Sequence, residues 1–173
     1  INDNGDCAFI ASTQGVGSGI FTHVDGVLEH IASHGDAVAG VAGATHLMNF
    51  NNVESSALDL TGASTFHNII DGVGITSDDN AILSSGGAGS VQLLARENQT
   101  VDGETDVEFS TANSIFNAAR TASDGTTVTG TNLSGAGVTG NVDDEAIIAG
   151  TPGNFNIVLR RGDPAMEPGL PPD

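Results

Sequence analysis

Lysine, tryptophan and tyrosine are absent from this sequence, and its four cations are all arginine: Arg96, Arg120, Arg160 and Arg161. Against them stand 22 acidic residues, for a formal net charge of −18. Such a field repels phosphate backbones and anionic lipid headgroups, so neither nucleic acid nor a membrane surface is an expected partner. With so few internal counter-ions, the carboxylates must be spread over the surface, screened by salt or bound to divalent cations. A salty or calcium-containing extracellular medium, or a cell surface, suits that balance better than cytosol. The single cysteine, Cys7, leaves no intrachain disulfide and reads as a small hydrophobe in an apolar strand pattern. No apolar run reaches the roughly 18 residues that a membrane-spanning helix needs. Without an initiator Met or a signal peptide, the chain is expected to be a processed product or a fragment of something longer.

What is present is short, apolar and frequently interrupted. The 173 residues include 24 Gly, and the only aromatic residues are 7 Phe. A core must therefore come from Val, Ile, Leu, Ala and those few rings. A compact chain of this length buries roughly 70% of its unfolded surface, enough to fold as one domain without staples. Cys7, Phe9 and Ala11 alternate with Ala8 and Ile10, an apolar pattern on both faces of one strand. Ile20 to Val24 and Val27 to Ala32 follow as strands around Asp25-Gly26. A helix over Val27 to Ala44 is the rival reading, but Gly35, Gly40 and Gly43 interrupt it, each at up to about 1 kcal/mol relative to Ala. Further strands are expected around Ala81 to Leu83, Val91 to Arg96, Thr126 to Leu133, Ala146 to Ile148 and Phe155 to Leu159. Ala112 to Ala122 allows a short helix with Ile115, Ala118 and Ala119 inward. Asp-Gly pairs at 25–26, 71–72, 102–103 and 124–125 read as turns. The fold class is all-β, with antiparallel, blade-like hairpin repeats in a propeller-like or sandwich-like arrangement. Residues 1–173 form one domain of approximate repeats 1–43, 44–105 and 106–169, with a Pro-rich extended tail over 164–173.

The opening Asn2-x-x-Gly5-x-x-Ala8-Phe9 resembles the signature of the bacterial choice-of-anchor tandem-repeat proteins that carry N-x-x-G-x-x-A-F. Gly19-Ile20-Phe21 resembles that family's second element. Ile31-Ala32-Ser33-His34-Gly35-Asp36 resembles its third, as does Leu159-Arg160-Arg161-Gly162-Asp163-Pro164 with the Gly169-Leu170-Pro171 exit. Inner copies are placed at Phe50 to Leu58, Ile75 to Leu83 and Asn141 to Ile148, with Thr65 to Gly72 set against Gly19 to Gly26. Glu54, Asp79 and Asp144 stand there where the motif has Gly. The resemblance implies a secreted or surface-anchored protein of repeated β-hairpins, and it carries over no catalytic residues. A chain that opens at the motif lacks the strand preceding it in the second repeat, which leaves an open sheet edge. The chain's own tail or a neighbouring subunit's strand would fill such an edge.

Chemistry is sparse. Asp3, Asp6, Asp78, Asp79, Asp143 and Asp144 gather at polar turns and are the candidate Ca²⁺ ligands, since calcium takes oxygen donors on turns. Their spacing fits neither an EF-hand loop nor the nonapeptide calcium repeat. His23, Glu29, His30 and His34 lie close in sequence, but nothing makes three ligands converge as zinc requires. There is no G-x-S-x-G elbow, no phosphate loop and no catalytic lysine, so no enzyme is expected. Arg161-Gly162-Asp163 is read as a turn; Asn98-Gln99-Thr100 and Asn132-Leu133-Ser134 are glycosylation sequons by pattern. The expected function is structural: an extracellular subunit whose partner is itself, built into a filament by strand complementation. A calcium- or glycan-binding surface module is the alternative. The absence of Trp and Tyr weighs against sugars.

Overall fold

The computed structural model describes residues 1–14, 17–47, 53–58, 62–72, 75, 80–85, 91–111, 116–122, 124–151 and 153–164, and at 13, 53–57, 80, 82–85 and 116–118 the backbone alone. All the regular structure among them is β. The first sheet holds β1 (Cys7–Thr13), β2 (Gly17–Val24) and β3 (Val27–Ser33), in that order. The second holds β4 (Ala44–His46), β5 (Val53–Leu58), β6 (Ser64–Gly72), β7 (Asn80–Ser85) and β8 (Val91–Arg96). The third holds β9 (Glu108–Phe109), β10 (Phe116–Thr121), β11 (Thr127–Ser134), β12 (Glu145–Thr151) and β13 (Asn154–Arg160). Every pairing is antiparallel.

One strand of each larger sheet serves two partners on one edge. The first part of β6 pairs with β5 and its last part with β4, while β7 runs along the other edge. The first part of β11 likewise pairs with β10 and its end with β9, opposite β12. The two sheets are geometric copies 63 residues apart. Val53 faces Asn68 as Phe116 faces Thr131, and Ala44 faces Gly72 while Leu133 faces Phe109 in the matching register. The linkers obey the same offset: Val38 N–H donates to Ala44 C=O at 3.0 Å, and Val101 N–H to Val107 C=O at 3.0 Å. Gly72 and Gly135 occupy one position in the two copies. At Gly135, φ is +107° and a Cβ would overlap the Asp106 carbonyl, so only glycine fits.

The first sheet follows the same plan from β1 onward. A bulge falls at Ile31 in β3, at Leu94 in β8 and at Val158 in β13. Two residues later each strand ends in the same turn. Ser33 N–H donates to Asp36 Oδ2 at 2.7 Å, Arg96 N–H to Gln99 Oε1 at 3.2 Å, and Arg160 N–H to Asp163 Oδ2 at 2.7 Å. The third turn residue has positive φ in all three: Gly35 (88°), Asn98 (59°) and Gly162 (87°). These registers make β1, β6 and β11 equivalent.

Several sequence expectations shift. Phe50 to Leu58, Ile75 to Leu83 and Asn141 to Ile148 are not copies of the opening motif and its strand β1: β5 lies on the edge of β6, and β7 and β12 are the counterparts of β2. Thr65 to Gly72 lies in β6, the counterpart of β1, and is not the counterpart of the Gly19 to Gly26 strand. Asp71-Gly72 is no turn: both residues pair within β6, with Thr45 and Ala44. Phe116 to Thr121 is strand, not helix, because its backbone joins the β11 ladder; 112–115 lie outside the described residues.

Packing joins the sheets face to face. Ile20, Ile31 and Ala32 of the first sheet share one core with Phe66, Ile70 and Ala81 of the second. Leu94 and Ala95, on the second sheet's opposite face, share another with Leu133, Ala146, Ile148 and Phe155 of the third. The middle sheet is therefore apolar on both sides. β10 also lies against β5, β6 and β7, and β5 against β1.

Candidate functional site

The acidic turns are tied up locally. Asp6 is buried, and its carboxylate accepts from Asp25 N–H and from the Asn2 side-chain amide, both at 3.0 Å. The backbone bond from Asp25 contributes most to holding Asp6 below the usual carboxylate range; the Asn2 bond follows. Asn2 Oδ1 in turn accepts from Asn4 and Asp6 N–H at 3.0 Å each. The Asn2 to Gly5 turn is thereby clamped to the Asp25-Gly26 turn. That is the structural content of the opening motif. Its geometric twin is Ala122 to Gly125. There Gly125 N–H donates to Ala122 C=O at 2.9 Å, as Gly5 N–H does to Asn2 C=O at 3.1 Å. In the third sheet this turn joins β10 to β11.

Asp3 is exposed on the same first turn. Asp143 and Asp144 sit together before β12. Asp143 accepts from Thr139 N–H at 2.6 Å and pairs with Arg160 at 3.2 Å. Asp144 accepts from Asn141 N–H at 2.7 Å and pairs with Arg161 at 3.2 Å. The Asn141 bond is the main reason the Asp144 carboxyl is held low. Asp78 and Asp79 lie outside the described residues. Among the described residues no three His, Cys, Asp or Glu side chains converge as a metal site would need.

The first sheet carries an aromatic row on the face turned away from its core. Phe9, Phe21 and His30 are cross-strand partners; the two Phe centroids lie 5.8 Å apart, and Phe21 and His30 5.1 Å apart. Phe9, His23, Leu28 and His30 are exposed there, and Cys7 is half-buried. A shallow cavity of about 300 Å³ where the sheets meet is lined by Ala39, Gly40, Gln92, Leu93, Leu94, Gln99 and Gly153, none of them titratable.

The remaining feature is backbone. Among the described residues β1 joins one ladder only, that with β2, while its equivalents β6 and β11 are laddered on both edges. Sequence reasoning expects an open edge here but by another alignment: it sets Phe50 to Leu58 against Ile1 to Phe9, whereas β5 lies on the edge of β6, the counterpart of β1. It misses the third member of the turn set, since Asn98 and Gln99 replace Gly and Asp. The available signal is chemical: Asn also accepts positive φ, and Gln also offers a side-chain oxygen.

A family model matches residues 1–170, and its description is a family of unknown function, DUF7453. The chain belongs to this family. No curated protein and no solved structure matches it. Membership in DUF7453 covers all three sheets and assigns no activity. No helix among the described residues is long and apolar enough to cross a membrane.

Proposed function

We propose that this member of DUF7453 is a structural module of the extracellular medium or cell surface that associates with copies of itself through backbone pairing, without catalysis. The observation that carries the reading is that β1, among the described residues, joins a ladder on one edge only, whereas its equivalents join ladders on both. In the second and third sheets the corresponding edge is filled by β5 with β4 and by β10 with β9. An edge strand with one ladder is a template for another strand, and main-chain hydrogen bonds supply affinity without any special side chain. The resemblance to the bacterial tandem-repeat proteins points the same way. The charge of −18 suits a soluble exported protein, and the repulsion it causes between copies is screened by salt.

Light scattering combined with amide hydrogen exchange tests this. Mass should rise with protein concentration while β1 amides gain protection. A species that stays monomeric at high concentration, with or without calcium, would sink the reading; so would association that leaves β1 amides unprotected. A strand supplied by residues upstream of Ile1 in a longer chain would occupy the same edge and leave a monomer. The acid excess favours a second reading, calcium binding at separate acidic segments carrying Asp3 and Asp6, Asp78 and Asp79, and Asp143 and Asp144. A saturable rise in melting temperature on adding Ca²⁺ to EDTA-treated protein is its signature.

A further inference from the structure

The two internal interfaces are copies of each other, and each uses a front face of one sheet and a back face of the sheet before it. The front face of the second sheet presents Phe66, that of the third Thr129; both positions correspond to Phe9 of the first. Phe66 is 0% exposed and Phe9 is 37% exposed. Phe21 corresponds to Ile148, which is fully buried in the core between the second and third sheets. On the back faces, the bulged residue is Ile31, Leu94 or Val158. Ile31 and Leu94 are buried, Leu94 at 2%, whereas Val158 is 64% exposed. Ala32 and Ala95 are buried, and their counterpart Leu159 is exposed; Ile20 is buried, and its counterpart Ile147 is exposed. A groove of about 450 Å³ runs beside Ile147 and Leu159. Among the described residues, the front face of the first sheet and the back face of the third are therefore left uncovered.

We infer that these two faces are a matched docking pair, and that a second copy of this chain occupies each of them head to tail. The front of one copy (Phe9, Phe21) lies on the back of the next (Ile147, Val158, Leu159). The warrant is continuity with interfaces the molecule already makes. The same positions mate twice within one chain, and the outer pair keeps large apolar side chains where a solvent face has no need of them. Leu159 stands where both buried counterparts are alanine, so the outer back face offers more apolar surface than the inner ones. Because front meets back, the contact is heterologous and does not close on a dimer. This association deepens the proposed self-assembly but uses side-chain faces, not the β1 edge, so the two stand or fall separately.

The test is a mixing experiment with Phe9→Glu, which blocks the front, and Val158→Glu, which blocks the back. Wild-type protein should show a weight-average mass in sedimentation equilibrium that climbs with concentration beyond two copies. Each variant alone should lose the head-to-tail step, because no copy then offers both faces, and keep only such association as protects β1 amides. The two mixed should form a one-to-one dimer and stop. Val158 is mostly exposed, so its variant should keep the wild-type melting profile; Leu159→Glu repeats the back-face block if it does not. Association of Val158→Glu and Leu159→Glu alone, at wild-type strength, overturns the inference. If it comes with protected β1 amides, edge pairing survives. A mixed dimer without β1 protection has the opposite meaning: face docking holds and edge pairing fails. Wild-type protein that is monomeric throughout overturns both.

Discussion

Burial of His46 shows how single residues are tuned by their place in the duplicated sheets. It stands where the third sheet has Phe109, is fully buried beside the Phe66 ring, and has the Asn68 amide 3.1 Å from Nδ1. Burial lowers its pKa from 6.5, and the Asp36 charge opposes this more weakly. The folded protein therefore holds His46 neutral. Between the lowered value and 6.5 the unfolded chain binds more protons, so this contribution to stability is complete above that window and fades as pH falls through it. The denaturation midpoint of wild type should drop between pH 7.5 and 5.5 by more than that of His46→Phe. Equal drops would show that His46 does not contribute. Asp6, Asp124 and Asp144 are held low by backbone hydrogen bonds and act in a separate range, losing their contribution as pH falls below 3.8.

At the scale of the element, the recurring unit is a bulged strand followed by a side-chain-anchored turn. The bulge adds twist and puts two successive apolar residues on one face, as with Leu94 and Ala95. The anchor then turns the chain toward the next sheet, where His46 N–H donates to Asp36 C=O at 2.9 Å and Phe109 N–H to Gln99 C=O at 3.0 Å. Removing the anchor leaves one strand-end N–H without its partner. Asp36→Ala should destabilise by roughly 1 kcal/mol, and Gln99→Ala by about half that, since an ionised acceptor makes the stronger bond. Urea melts of the two variants check the order; a larger loss in Gln99→Ala would contradict it. Strand boundaries of this kind were largely legible, because β-branched runs and Gly or Asp-Gly punctuation mark them. The register between repeats was not. The Asn2-Asp3-Asn4-Gly5 turn and its twin Ala122 to Gly125 share a backbone path but little side-chain identity.

For the whole molecule the dominant fact is a negative charge with few partners. Two of the four arginines, Arg160 and Arg161, are spent on Asp143, Asp144 and Glu145 of the third sheet. The first sheet contains no Lys or Arg at all. Self-repulsion among carboxylates is screened over a distance of about 10 Å at 0.1 M salt. The melting temperature should therefore rise as sodium chloride increases from millimolar levels to about 0.5 M and then level off. A curve that falls from the start would mean that attractive pairs outweigh the repulsion.

The sequence by itself determined the class of structure. Gly-punctuated, β-branched runs without helical periodicity leave hairpins as the way to satisfy backbone groups, and one cysteine with no lysine removes intrachain disulfides and lysine chemistry. It also marked the Asn2 to Phe9 opening and the Gly35-Asp36 and Gly162-Asp163 turns. Only the tertiary structure decided which strands are counterparts and which faces are covered. Position and not residue type made that choice: Ile31, Leu94 and Val158 are near-isosteric apolar residues at one site of the repeat. The first two are buried because another sheet follows them, and Val158 is exposed because no sheet among the described residues lies over it.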